Sequence, residues 1–154
     1  MSRTTTFETF EMSTRGSDDS PLLVDTSVAV ALVVADHEHH GATSEAVGSR
    51  ALGLAGHAAF ETFSVLTRLP PPARRTPETV AKLLARNFPE NRYLSEEDAG
   101  DLLSRLAALG IAGGSVYDAM VGATARAHKL VLATRDRRAV ETYRALDVNV
   151  LWVG

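Results

Sequence analysis

The chain has no cysteine among its 154 residues. A disulfide framework, a thiolate zinc site and a cysteine nucleophile are therefore all excluded. Long hydrophobic runs are missing too: no stretch approaches the roughly 18 consecutive apolar residues of a membrane span. The first twenty residues, Met1 to Ser20, lack the apolar centre of a secretory signal and are rich in Thr, Ser and charge. They are expected to form a flexible tail over 1–20, or an over-long start, ahead of a single domain over 21–154, and a cytoplasmic location without membrane association is expected. An excess of positive charge is lacking as well. The net charge of −3 at pH 7 argues against a general nucleic-acid coat, but leaves room for an acidic site neutralised by bound metal. No Gly-x-Ser-x-Gly elbow is present, and Gly110-Ile111-Ala112-Gly113-Gly114 lacks the spacing and lysine of a phosphate-cradling loop.

What is there is an ordinary globular balance, 45% hydrophobic and 23% charged, enough to bury one core unaided. Short apolar runs at Pro21 to Asp25, Ala51 to Leu54, Leu130 to Ala133 and Val148 to Val153 read as strands, with a further short strand at Arg92 to Leu94. Helices are expected over 27–34, 43–49, 58–69, 77–87, 95–109, 116–128 and 136–146. Thr76-Pro77-Glu78 and Ser95 with Asp98 mark two helix starts, and Gly110 marks a stop. In the helix from Ala58, Phe60, Phe63, Leu66 and Thr67 are placed on one face. In the helix from Ser95, Leu102, Leu103, Leu106 and Leu109 recur at helical spacing. Strands alternating with helices predict an α/β fold, a three-layer α/β/α sandwich with a mainly parallel central sheet. Ligands bind such sheets at the carboxyl ends of the strands.

Acids gather at that edge. Asp25 ends the first strand and Asp136 follows the strand at Leu130 to Ala133. Glu61 and Asp118 stand near the starts of two helices, whose N-termini collect at the same edge in a parallel sheet. Four carboxylates packed together repel one another and raise one another's pKa. A hard divalent cation such as Mg²⁺ or Mn²⁺ relieves that repulsion and suits oxygen ligands. Such a site can activate water against a phosphodiester. Taken singly, each acid reads equally well as something else: Asp25, Asp118 and Asp136 as helix caps or first-turn acids, Glu61 as the partner of an arginine such as Arg68.

Together, Leu-Leu-Val-Asp-Thr-Ser at 22–27, the Glu61 helix, Tyr-Asp-Ala-Met-Val-Gly-Ala-Thr-Ala at 117–125 and Leu-Ala-Thr-Arg-Asp-Arg-Arg at 132–138 resemble the PIN-domain family. Within it, the VapC-type toxins of bacterial toxin–antitoxin pairs are the nearest pattern, and the likeness covers nearly all of 21–154. The resemblance implies a Mg²⁺- or Mn²⁺-dependent endoribonuclease, usually a homodimer, held inactive by a small VapB-like antitoxin and leaving 5′-phosphate and 3′-hydroxyl ends. It implies Asp25, Glu61, Asp118 and Asp136 as the catalytic and metal-binding acids. The ion would be held chiefly by Asp25 and Asp118 with help from Asp136, and Glu61 would bind a second metal or position water. Ser27 and Thr134 stand where supporting hydroxyls are expected. Arg135, Arg137 and Arg138, with Arg74 and Arg75 after the prolines, are candidate contacts to the RNA backbone. The long segment before Pro21 and the run Pro70-Pro71-Pro72 depart from the family pattern.

Other features weigh less. Asp36-His37-Glu38-His39-His40 has metal-ligand residue types, but neighbours on one loop seldom close a tetrahedral site, so an exposed loop is expected. Trp152 and Tyr143 are expected in or beside the core. A phosphatase using Asp25 as nucleophile would need Asp-x-Asp, and residue 27 is Ser. A non-catalytic binding module, with the acids acting only as caps, would keep its effect on substitution of Asp118, whereas a nuclease would lose it.

Overall fold

The computed structural model describes residues 19–154. The tail expected over 1–20 falls outside them apart from Asp19 and Ser20. Among the described residues, four short strands form one sheet: β1 (Leu22–Val24), β2 (Leu52–Leu54), β3 (Leu132–Thr134) and β4 (Val150–Trp152). Helices α1 (Thr26–Val33) and α2 (His40–Val47) connect β1 to β2. Between β2 and β3 run α3 (His57–Thr67), α4 (Pro77–Asn87), α5 (Glu96–Leu109) and α6 (Ser115–Ala127), and α7 (Arg137–Ala145) precedes β4. The strand order is β2-β1-β3-β4 and every pairing is parallel. The order therefore reverses between β1 and β3, and at such a reversal the connecting loops part to leave a crevice at the carboxyl edge.

The two inner strands, β1 and β3, are buried on both faces, which demands continuous rather than alternating apolar sequence. Leu22, Leu23 and Val24 are all fully buried. Leu22 and Val24 pack with Val28 of α1, Leu66 of α3 and Val80 of α4. Leu23 points the other way, into a cluster with Val121 and Ala125 of α6 and Ala139 and Tyr143 of α7. Helix α5 adds to the outside of α6 through Leu102, Ala119 and Leu146. The result is the three-layer α/β/α sandwich that the alternation of elements predicts.

Local signals behave as their chemistry requires. Thr76 and Ser95 accept from the amides of Thr79 and Asp98, and Gly110 ends α5 in the left-handed conformation. Three expectations need correction. The strand at Arg92 to Leu94 shrinks to a single bridge between Ala55 and Arg92, because Ser95 already opens α5. Helix α2 begins at His40 rather than Thr43, and His40 Nδ1 lies 2.9 Å from the Ala31 carbonyl oxygen. Trp152 is 40% exposed on the edge strand, whereas Tyr143 is buried as expected. Phe60 and Leu103 lie on the open sides of α3 and α5, 67% and 73% exposed, while Ala58, Thr62 and Leu66 form the buried stripe of α3.

Candidate active site

Asp25 sits at the reversal, directly after β1, and is almost entirely buried. It is a helix cap, as one reading of the sequence has it: its Oδ1 accepts the Val28 amide at 3.3 Å. It is also far more than a cap. Ser27 Oγ donates to Oδ1 at 2.6 Å, and Oδ2 accepts the hydroxyls of Thr134 and, at 2.9 Å, of Tyr143. Each of the two small hydroxyls has a second task. Ser27 Oγ accepts the Arg135 amide at 2.9 Å and Thr134 Oγ1 accepts the Asp136 amide at 3.0 Å. Two side chains thus tie the Asp25 carboxylate to the turn that carries Asp136. Burial pushes the Asp25 carboxyl above its ordinary range, while the four hydrogen bonds pull it down.

Asp136 caps α7 by accepting the Arg138 amide at 3.0 Å. Asp118 lies in the first turn of α6, where the helix dipole would ordinarily favour its charged form. The opposite holds: its pKa is raised to about 6, first by burial and then by the charges of Asp136, Asp25 and Glu61. Burial is the larger cause, and the charges of three acids from other parts of the chain add to it. Glu61 stands at the exposed margin, where Thr26 Oγ1 donates to its Oε1 at 2.9 Å. Arg68 is not its partner. The Arg68 Nε donates to Ser64 Oγ at 3.3 Å instead.

The donor set fits a hard divalent cation in kind: oxygen ligands of like charge, repelling one another in a half-buried crevice. Asp25 already accepts about as many hydrogen bonds as a carboxylate can, so Asp118, facing three negative neighbours, is the first place for a cation. Among the described residues no three carboxylates or imidazoles stand close enough to form a ready-made cage. Mg²⁺ does not need one, because it keeps several waters and binds through one or two carboxylates. The histidine segment has separate engagements: His39 pairs with Glu38 at 3.0 Å, and His37 Nδ1 accepts the His39 amide.

Comparison with known proteins adds the family. The PIN domain model matches residues 22–145. The chain belongs to the PIN-domain family. Its relatives include a protein named Ribonuclease VapC27 from Mycobacterium tuberculosis, 45% identical over 131 residues, which are 85% of this chain and 96% of that one. Another, Ribonuclease VapC40 from the same species, is 47% identical over 128 residues, 82% of this chain and 94% of that one. Among solved structures, DNA-bound VapBC from Salmonella typhimurium has a TM-score of 0.63 at 20% identity, covering 87% of this chain and 98% of that one. VapBC2 from Rickettsia felis, bound to a promoter fragment, has a TM-score of 0.61 at 13% identity, covering 86% and 98%. These structural likenesses are likenesses of fold.

Within this PIN domain the arginines expected to meet RNA are placed differently from one another. Arg138 is almost fully exposed, with its Nε 3.8 Å from Asp136 Oδ1. Arg137 lies over the Trp152 ring, 4.9 Å from its centroid. Arg135 Nε is buried without a hydrogen-bond partner. Arg74 donates to the Leu69 carbonyl at 2.9 Å and Arg75 to the carbonyl of Ala73. One participant escapes sequence reasoning, which assigns Tyr143 only to the core. Burial and the neighbouring charge of Asp25 push its phenol upward, so it remains a hydrogen-bond donor. The available signal is its place in α7: Ala139 and Tyr143 lie four residues apart on the buried face.

Proposed function

We propose that this chain is a divalent-metal-dependent endoribonuclease, the toxin of a VapBC-type pair, with Asp25, Glu61, Asp118 and Asp136 as its acidic site. The observation that carries the reading is geometric: at the reversal of strand order, Ser27 and Thr134 each donate to the buried Asp25 carboxylate and accept an amide of the turn that carries Asp136. Asp118 is raised to about 6 by burial and then by the charges of Asp136, Asp25 and Glu61. Surface caps do not gather in this way. Relatives named as ribonucleases at 45–47% identity over most of both chains support the activity. Neighbours solved as VapBC assemblies support a VapB-like antitoxin. A homodimer and a cytoplasmic location belong to the same reading. Among the described residues no helix is long and apolar enough to cross a membrane.

Asp118 and Asp136 would hold Mg²⁺ or Mn²⁺ directly, with Asp25, whose oxygens are already hydrogen-bonded, reaching the ion through water. When bound, the ion supplies positive charge for the phosphodiester oxygens and lowers the pKa of water. The chain's residues do the rest. Ser27, Thr134 and Tyr143 fix the Asp25 carboxylate so that it cannot swing away from the crevice. Glu61, at the open margin and held by Thr26, orients the attacking water or a second ion. Arg138, exposed beside Asp136, takes a phosphate of the RNA strand through its paired donors.

The deciding experiment is RNA cleavage by the purified, antitoxin-free chain in Mg²⁺ or Mn²⁺, beside EDTA and Asp118→Asn controls. Cleavage that needs both the metal and Asp118 is expected. A folded protein that cuts no RNA under any of these conditions would favour the binding module instead.

A further inference from the structure

A cavity of about 570 Å³ lies between α7 and β4, lined by Arg137, Glu141 and Arg144 from the helix and by Val148, Val150 and Trp152 from the strand side. It is separate from the acid crevice but begins beside it. Trp152 pairs in register with Thr134, the residue whose hydroxyl holds Asp25, and Val153 N donates to the Thr134 carbonyl at 3.0 Å. Parallel neighbours lie about 4.8 Å apart and paired residues face the same side. The indole is therefore one strand away from the site, on the face where Tyr143 reaches Asp25. Arg137 follows Asp136 directly and lays its guanidinium over the ring. Trp152 is 40% exposed on this edge strand.

We propose that this cavity is a stacking subsite for a nucleotide flanking the scissile phosphate of a single-stranded RNA. A base takes the place of the Arg137 guanidinium on the Trp152 indole, and Arg137, released from the ring, takes the adjoining phosphates together with Arg144. The proposal rests on the nuclease reading for its substrate class. The pairing of a flat π-face with two guanidiniums suits single-stranded nucleic acid, which binds by base stacking and backbone charge together. Glu141 lies between the two arginines in sequence and disfavours a simple anion alone. A peptide strand adding to the β4 edge is the competing occupant. It would pair with the β4 edge and leave the indole and the two guanidiniums without a role.

Trp152 is the sole tryptophan of the chain, so its emission reports on this subsite alone. The test titrates full-length protein carrying Asp118→Asn with single-stranded oligouridylate in Mg²⁺, following tryptophan emission and the anisotropy of labelled RNA. Saturable quenching is expected. Trp152→Ala weakens binding by about tenfold, the scale of one lost stacking contact, whereas Trp152→Phe keeps most of the affinity. Arg137→Ala combined with Arg144→Ala loses binding and quenching together, and thermal melts confirm that each variant is folded. In the otherwise unaltered chain, Trp152→Ala raises KM and leaves kcat nearly unchanged. Stacking tolerates any base, so RNA that binds without quenching overturns the subsite. Affinity indifferent to Trp152→Ala overturns it too, as does quenching by a partner peptide alone. Intact quenching with no metal-dependent cleavage would count against the nuclease and leave the subsite standing.

Discussion

Asp25 and Asp118 are both held above the usual carboxylate range, and for different reasons. Asp25 is buried among hydrogen-bond donors that partly offset its desolvation. Asp118 is only half buried and suffers from its neighbours' charges. Substitution should separate the two roles. Asp118→Asn removes a charge that destabilises the metal-free fold, so it should abolish metal-dependent cleavage, by about a hundredfold or more, while raising the melting temperature in EDTA. A variant that cleaves normally would remove Asp118 from the site. Tyr143→Phe acts in the opposite sense. It deletes a buried donor to a charged acceptor and should cost about 1.5–3 kcal/mol of stability, read from the urea midpoint at neutral pH. An unchanged midpoint would mean that the Tyr143 bond to Asp25 contributes nothing.

Helices α6 and α7 set the spacing of the crevice, because one carries Asp118 and the other is capped by Asp136 and supplies Tyr143. Their approach depends on Gly122. A Cβ there would lie 2.9 Å from Tyr143 Cδ1 and 3.2 Å from Val148 Cγ2. Gly122→Val should therefore push α7 outward, costing about 1–3 kcal/mol and lowering cleavage through the displaced Tyr143. Loss of stability with full activity would show that the Tyr143 position is not critical. This coupling is invisible in the sequence. Asp25, Asp118 and Asp136 are legible as candidates because each stands at a strand end or helix start, which local pattern reports, whereas Ser27 and Thr134 enter only through the family resemblance. Tyr143 reaches Asp25 across 118 residues, and no periodicity reports a contact of that range. The exposure of Phe60 and Leu103 has a related cause. Helical spacing identifies a set of apolar residues, but which neighbours cover them is decided by tertiary packing, and α3 and α5 each leave one side open.

The whole molecule converts this local repulsion into a dependence of stability on pH and metal. Asp25 and Asp118 both titrate higher in the folded chain than the ordinary carboxyl value of 3.8, so the folded state binds protons more tightly than the unfolded chain. Their contribution to stability is fully present below that value and is lost as pH rises, for Asp118 through about 6. The metal-free protein should therefore melt at a higher temperature near pH 5 than near pH 7.5, and Asp118→Asn should remove much of that slope. A divalent cation occupies the crevice in place of those protons. Mg²⁺ should raise the melting temperature strongly near pH 7.5 and weakly near pH 5, where it competes with protons for the same carboxylates. At about a hundredfold excess over its dissociation constant the gain approaches 2.7 kcal/mol. Melting curves in EDTA and in Mg²⁺ at the two pH values test the linkage without any assay of cleavage. Equal stabilisation by Mg²⁺ at both, or a flat profile in EDTA, would mean that the four acids do not act as one cation-binding unit.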